Sequence, residues 1–347
     1  MQDPKIIIDH ELLKLISEID EFKGKWQFLK TFSPDRLTVL RKTATIESVG
    51  SSTRIEGSNL TDVQVETLLS QIKITSFKTR DEQEVVGYAE AMDLIFDSFE
   101  DMRVTENHIK QLHQLLLKHS TKDSRHRGEY KKLPNHVVAI DAHGKEIGII
   151  FETATPFNTP YEMEKLVNWF NKTIDSGDLH PLVAIAVFIA IFLAIHPFQD
   201  GNGRLSRILT NLLLLRAGYT YVPYASLEHI IEENKDLYYK ALRRTQITLK
   251  REIQDWEAWL GFFLRTLKKQ KNKLASVIEQ QKHLDLNLPK LSVTIIELLK
   301  THGQLTIATI VNLTDANQNT IKLRLRELVN LGYIKQHGKA RATWYTL

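Results

Sequence analysis

The sequence predicts a mainly α-helical bundle carrying one β-hairpin, followed by a small C-terminal winged helix-turn-helix. Three observations carry this. Apolar residues recur at three- and four-residue spacing over Asp9–Phe22, Val63–Ile72, Ile109–Leu117, Met163–Ile174 and Arg204–Ala217. One segment, Asn135–Phe151, reads as a hairpin: Val137-Val138-Ala139-Ile140 and Ile147-Gly148-Ile149-Ile150 flank a turn at Asp141-Ala142-His143-Gly144. The third is a boundary at Asn287–Lys290 around Pro289, beyond which three short helical patterns lead into an alternating, Gly-broken end.

Taken in order, residues 1–100 form an N-terminal helical region and 101–267 a larger core. Within that core the run Leu182–Ile195, 14 apolar residues between Pro181 and Pro197, is short of the ~18–20 that a membrane span needs. It reads as a helix buried on all sides, so no membrane partner is expected. From Trp256 the pattern runs through Leu260, Phe263, Leu264 and Leu267 and turns polar at Lys268, making 268–289 a helical linker. The winged unit spans 290–347, with helices at Leu291–Thr301, Thr306–Leu313 and Asn317–Leu331 and a two-stranded wing over Lys335–Tyr345.

Composition bounds the chemistry. At 347 residues, 42% hydrophobic and 25% charged, the chain is an ordinary globular protein without low-complexity stretches. The absence of cysteine excludes disulfides, zinc fingers, thiol nucleophiles and iron–sulfur clusters. The beginning, Met-Gln-Asp-Pro-Lys, lacks the long apolar run of a signal peptide, and a cytoplasmic protein is expected. The formal charge is +4, but residues 290–347 alone carry eight basic and three acidic side chains, so the basic excess belongs to the tail.

The chemistry concentrates in His196-Pro197-Phe198-Gln199-Asp200-Gly201-Asn202-Gly203-Arg204-Leu205-Ser206-Arg207, between two apolar helical patterns. Gly201 and Gly203 permit positive φ, so successive N–H groups around Asn202 can converge into an anion nest where the next helix begins. Arg204 and Arg207, three apart, share a helix face and can present guanidinium forks to phosphate oxygens. Asp200 beside the nest is a hard oxygen ligand suited to Mg²⁺ bridging phosphates. His196, with an ordinary pKa of about 6.5, is the residue able to take a proton from a hydroxyl near neutral pH. Each feature alone has a plainer reading: a structural histidine, a glycine turn, a solvated helix face. All of them within 12 residues point to a nucleotide-phosphate site joined to a general base.

This string matches the motif H-P-F-x-D/E-G-N-G-R-x-x-R of the Fic family at every specified position, and the chain resembles that family. The resemblance implies a Fic-type helical bundle that transfers AMP from ATP to a Ser, Thr or Tyr hydroxyl of a protein, itself included, with pyrophosphate leaving. It implies His196 as base, Asp200 as Mg²⁺ ligand, Gly201–Gly203 as phosphate nest, and Arg204 and Arg207 as phosphate clamps. The family's kinase-like branch replaces the Gly-Asn-Gly-Arg portion, which this chain keeps. Gly128-Glu129-Tyr130 and the following hairpin resemble the family's flap, an edge that can pair with a target segment, and Ile149 is its candidate contact to the nucleotide. The Pro-rich stretch that usually follows is reduced to Ala154-Thr155-Pro156. Tyr238–Leu242 and Trp256–Trp259 resemble helices behind the adenine, which makes Tyr239 and Gln246 nucleotide-binding candidates.

Ser51-Ser52-Thr53-Arg54-Ile55-Glu56-Gly57 is polar for a helix beginning near a core. Ser52 and Glu56 are four apart, so the hydroxyl is expected to hold the carboxylate, and Gly57 to end the turn. The segment resembles the family's inhibitory signature [S/T]-x-x-x-E-[G/N]. That resemblance implies that Glu56 pairs with Arg207 and takes the clamp meant for the ATP γ-phosphate.

On the last long helical pattern, Asn317, Gln318, Asn319, Thr320, Lys322 and Arg324 are candidates for DNA contact, with Lys335, Lys339 and Arg341 on the wing. A winged helix also serves protein contact or dimerisation, and both readings stay open. Two functions compete with AMP transfer. One is removal of AMP from a protein; the other is a DNA-binding regulator whose Fic domain senses nucleotide.

Overall fold

The computed structural model describes residues 4–29, 34–70, 77, 79–140, 146–286, 288–338 and 343–347, in two compact units, Met1–Lys273 and Leu274–Leu347. The first is mainly helical. Its elements are α1 (His10–Leu29), α2 (Pro34–Ile55), α3 (Asp62–Ser70), α4 (Arg80–Ser98), α5 (Glu106–Leu116), β1 (Val137–Ile140), β2 (Glu146–Phe151), α6 (Thr159–Ser176), α7 (Pro181–Ile195), α8 (Asn202–Arg216), α9 (Leu227–Glu233), α10 (Lys235–Gln246) and the start of α11 (Glu257–Leu286).

Helix α7 is the axis of this unit. Every residue from Leu182 to Ile195 is buried, and α6, α8 and α10 pack around it. Each fully buried Val, Leu, Ile or Phe is worth about 1.5–3 kcal/mol relative to exposure, so the unbroken apolar run fixes α7 at the centre. Trp259 of α11 donates its indole N–H to the Ala186 carbonyl at 2.7 Å, joining α11 to the same axis. No helix among the described residues is long and apolar enough to cross a membrane.

Two helices of this unit were not legible as periodic stripes. α2 buries Ser48, Ser51, Ser52 and Thr53 beside Val49 and Ile55 along its last turns, so its inward face mixes hydroxyl and apolar groups. The segment around Ser52 is therefore the end of a 22-residue helix, not a helix beginning as the sequence suggests. α4 begins with a capping box, in which Thr79 accepts from the Glu82 N–H and Glu82 reaches back to the Thr79 N–H.

The hairpin forms as expected, with β1 antiparallel to β2 and Val138 opposite Ile149. Its turn at 141–144 lies outside the described residues, and so does the side chain of Ile149.

The second unit holds α12 (Lys290–His302), β3 (Gln304–Thr306), α13 (Ile307–Thr314), α14 (Gln318–Asn330), β4 (Lys335–His337) and β5 (Trp344–Thr346). The two-stranded wing gains a third strand: β5 lies between β3 and β4, antiparallel to both. β3 was missed because three residues, with Leu305 alone buried, leave no readable alternation. Ile295, Leu299, Ile310, Ile321, Leu325, Leu328, Ile334 and Tyr345 close a separate core. Lys339 and Arg341 lie outside the described residues.

Gly87 marks the tightest helix contact. A Cβ there would collide with the carbonyl of Leu116, where α4 crosses the end of α5. Gly87→Ala is expected to destabilise the first unit by about 1–3 kcal/mol, as overpacking against backbone does. Denaturant unfolding followed through the tryptophans measures it, and an unchanged midpoint would contradict the close packing.

Candidate active site

The site forms where α7 ends and α8 begins. His196 closes α7 in a left-handed conformation, φ 54° and ψ 59°, uncommon outside glycine. Its N–H still bonds to the Phe192 carbonyl, so the histidine is both the helix cap and the first residue of the loop. Gly201, at φ 80°, then turns the chain into α8. The loop between them is clasped by Asn202, whose side chain donates to the Phe198 carbonyl at 2.7 Å and accepts from the Phe198 N–H at 2.9 Å. The Asn202 side chain is thus occupied in shaping the loop.

These elements wall a cavity of about 270 Å³. It is lined by His196, Asp200, Gly201, Asn202, Gly203, Arg204 and Arg207, together with Glu56, Tyr238, Tyr239, Leu242, Arg243 and Gln246, and by His136 and Phe151 from the hairpin side. The expected site residues with described side chains thus converge on one cavity, except Ser52, which lies behind it on Arg207.

Burial pushes His196 down to about 4, so the ring is neutral at physiological pH. Its Nδ1 faces the Leu193 carbonyl at 3.3 Å, which favours a proton on Nδ1 and leaves Nε2 as the basic nitrogen. A neutral imidazole is the form that can accept a proton.

Arg207 is buried, 3% exposed, and its partners come from α2. Nε donates to Ser52 Oγ at 2.8 Å; Nη2 donates to the Ser52 carbonyl at 2.9 Å and to Glu56 Oε1 at 2.7 Å. This brings Glu56 and Arg207 together as the inhibitory resemblance implies, but corrects Ser52: its hydroxyl holds the arginine, not the carboxylate, because the end of α2 lies against α8. Glu56 is further held from behind, where Lys235 donates to the Ile55 carbonyl at 2.6 Å. Its carboxylate lies so close over Gly203 that a Cβ there would collide with it. Burial raises the Glu56 carboxyl, but the charges of Arg207, Arg204 and Lys235 outweigh this and hold it below its ordinary value.

Asp200 and Arg204 belong to a closed ring of four charges. Arg80 meets Glu84 at 2.7 Å, Glu84 meets Arg204 at 2.9 Å, Arg204 meets Asp200 at 3.3 Å, and Asp200 meets Arg80 at 3.0 Å. Arg204, 2% exposed, is thus held by two carboxylates. Burial raises the Asp200 carboxyl, yet Arg204, the Gly201 N–H and Arg80 hold it low and ionised.

Sequence reasoning missed several supporting residues. His113 is fully buried on α5; its Nδ1 accepts from the Gly128 N–H at 2.8 Å and its Nε2 meets the Asp200 carbonyl at 3.0 Å, while the ring stacks on Phe198 at 3.8 Å. Burial pushes it to about 4, so it is a neutral strut beneath the Asp200 peptide. Its one visible signal was a histidine on the apolar stripe of an amphipathic helix. Arg80 and Glu84 showed only an i, i+4 charge pair.

Residues 103–214, from before α5 to within α8, match the family model described as Fic/DOC family. The chain carries a Fic domain. It is similar to the protein adenylyltransferase Fic of Drosophila grimshawi, 32% identical over 181 residues, which cover 52% of this chain and 35% of that protein. The protein of the same name from Drosophila yakuba is 30% identical over 205 residues, 58% of this chain and 37% of the other. The chain thus spans about a third of the length of the curated relatives it matches. Among solved structures, a Fic family protein from Desulfovibrio desulfuricans G20 shares the fold with a TM-score of 0.64 at 22% identity, over 99% of this chain and 98% of that one. A Fic domain containing signaling protein from Bacteroides thetaiotaomicron VPI-5482 is 27% identical, with a TM-score of 0.55 over 75% of this chain and 92% of its own.

A carboxyl held below its ordinary 4.5 adds stability that is complete above that pH and is lost as pH falls through the lowered value. Glu56→Gln should therefore lower the Tm of the Fic domain at pH 7, by roughly 2–4 °C for each kcal/mol lost, and the gap should narrow as pH drops toward 4. Calorimetry across that range checks the sign. A gap that widens in acid would contradict the pairing.

Proposed function

We propose that the chain transfers AMP from ATP to a Ser, Thr or Tyr hydroxyl of a protein, itself included, and that Glu56 restrains the transfer. The observation that carries the reading is the contact of Glu56 with Arg207 inside the cavity that also holds His196 and the nest. A buried guanidinium on the helix that opens a phosphate nest is a natural clamp for the ATP tail, and here a carboxylate occupies it.

In this reading the ATP phosphates lie along Gly201–Gly203 and the N-terminus of α8, with the adenine toward Tyr239 and Gln246. The target segment pairs with the edge of the β1–β2 hairpin, and Ile149 on that hairpin is the candidate contact to the nucleotide. His196 Nε2 takes the proton of the target hydroxyl as its oxygen attacks the α-phosphorus. The bond to the β-phosphate bridging oxygen breaks, and pyrophosphate leaves with the electron pair. Arg207, once freed from Glu56, draws the γ-phosphate so that the α-phosphate faces the incoming oxygen. Arg204, held by Glu84 and Asp200, supplies fixed positive charge beneath the phosphates.

Asp200 fits a Mg²⁺ that arrives with nucleotide. Asp200 would be the protein's ligand, and phosphate oxygens and water would suit the rest of this ion's preference. Bound there, Mg²⁺ supplies charge neutralisation on the phosphates, while Arg80 is the side chain that must give way at Asp200. The reverse reaction, removal of AMP, would use the same residues.

Label transfer from α-labelled ATP, measured in cell lysate and on the purified chain, tests the proposal. Glu56→Gly should raise it about tenfold for each 1.4 kcal/mol of productive binding regained. Adding His196→Ala should cost about 10²–10⁴ in rate, the usual contribution of a general base, with ATP binding retained. A Glu56→Gly protein no more active than the parent defeats the restraint, and transfer that survives His196→Ala removes the base.

The second unit supports a separate contact with duplex DNA. α14 leaves Asn317, Gln318, Asn319, Thr320 and Lys322 exposed, while Ile321, Leu325 and Leu328 face the core; Arg324 is half-buried and tied to Glu327 at 2.7 Å. Binding of a random duplex that weakens steeply between 50 and 200 mM salt, roughly as counterion release requires, is expected for the full chain and not after removal of residues 290–347. Equal retention of DNA by both proteins excludes this role for the unit.

A further inference from the structure

Lys131 sits behind the site as a buried cation, 3% exposed, with no carboxylate paired to it among the described residues. Its ammonium donates to Asn135 Oδ1 at 2.7 Å, Thr153 Oγ1 at 2.9 Å and the Ile195 carbonyl at 3.0 Å. Asn135 precedes β1 and Thr153 follows β2, so these are the two feet of the hairpin. Ile195 carries the peptide that joins α7 to His196. Asn135 extends the tie, its amide donating to the Phe198 carbonyl at 2.6 Å and to the His196 carbonyl at 3.3 Å. The Lys131 N–H closes the arrangement on the Pro197 carbonyl at 2.8 Å.

An ammonium buried among neutral oxygens is costly, and a neutral side chain of similar length would fill the space at less cost. The partial negative charge at the C-terminus of α7 offsets part of it. Burial alone pushes the amine down to about 8. What the cation accomplishes is connection: one group bonds both feet of the hairpin and the last carbonyl before a left-handed histidine.

Resting on the AMP-transfer reading, we propose that Lys131 is a positioning residue: it locks the feet of the target-binding hairpin to the His196 peptide, setting the reach from the base to the acceptor hydroxyl. The Lys131 ammonium touches neither Gly201–Gly203 nor Arg207, which is held by Ser52 and Glu56. Lys131 therefore governs turnover and not nucleotide affinity. It also faces His196 electrostatically, depressing its proton affinity while Glu56 and Asp200 raise it.

The test uses the full chain in the Glu56→Gly background, with and without Lys131→Met, a neutral side chain of nearly equal length. Lys131→Met should lower kcat for label transfer at least tenfold with the ATP Kd within twofold. The His196 ring, followed by NMR and identified by its loss in His196→Ala, should titrate at higher pH. Tm should not fall, since an uncompensated charge has been removed. Unchanged kcat, or a kcat loss matched by an equal loss of ATP affinity, overturns the proposal. If Lys131→Met lowers Tm, Asn135→Ala decides, because it cuts the links to the His196 and Phe198 carbonyls while leaving the ammonium its bonds to Thr153 and the Ile195 carbonyl. The same kcat-only loss supports the tie and unchanged kcat overturns it. Should the Glu56→Gly parent transfer no label, the AMP-transfer reading fails, while the His196 titration still reads Lys131: an unmoved midpoint overturns its role.

Discussion

A guanidinium buried to 3% exposure must have an anion or a set of acceptors, and at Arg207 that requirement organises the site. α8 brings Arg207 to the wall of the nest because the helix begins at Asn202 and its apolar face packs on α7. The acceptors Arg207 meets are those at the end of α2: the Ser52 hydroxyl, the Ser52 carbonyl and the Glu56 carboxylate. Of the buried hydroxyls of α2, Ser52 serves Arg207, while Ser48 meets Ser226, Ser51 accepts from Arg54 and Thr53 donates to the Val49 and Gly50 carbonyls. Four buried hydroxyl residues in its last turns make poor hydrophobic packing, but they let the helix end press against a charged neighbour with its polar groups bonded. Arg54, with Nε and Nη2 on Glu232 and Nη1 on Asp62, and Lys235 on the Ile55 carbonyl hold that helix end in place.

The rest of the site is a matter of how one buried helix hands over to the next. α7 is apolar on every side, so its end cannot slide toward solvent, and its last peptide is fixed from three directions. Lys131 holds the Ile195 carbonyl, Asn135 the carbonyls after it, and His113 the Asp200 peptide further along. Residues outside the His196–Arg207 motif therefore set where His196 and the Asp200 peptide stand. The ring of Arg80, Glu84, Arg204 and Asp200 does the same for charge, keeping Asp200 ionised and Arg204 immobile before any ligand arrives. Such preorganisation is what makes fixed charges effective in a site sheltered from water.

Much of this was legible in the sequence because it lay in a short span. His196 to Arg207 read as one unit, and the structure gathers its polar groups around one cavity. α7 was legible as an unbroken apolar run, and the hairpin as two β-rich segments about a polar turn. The parts that were not legible are long-range. Nothing in the spacing of Ser52 and Glu56 tells that the serine serves Arg207, 155 residues away, instead of the glutamate four residues on. His113 and Lys131 resemble ordinary helix and loop residues until the chain is folded and their partners arrive from α7 and α8. β3 is too short to alternate, and α2 lacks a clean apolar stripe because Ser48, Ser51, Ser52 and Thr53 are buried beside Val49 and Ile55.

The central claim is that Glu56 and the outermost phosphate compete for Arg207, and affinity measured against phosphate number tests it most directly. Calorimetric Kd values for AMP, ADP and ATP, with Mg²⁺, would be compared between the parent chain and Glu56→Gly. The account predicts that the substitution tightens ATP at least tenfold, about 1.4 kcal/mol, with much smaller gains for ADP and AMP, because only the third phosphate reaches the vacated guanidinium. An equal gain for all three nucleotides, or none for ATP, would contradict it.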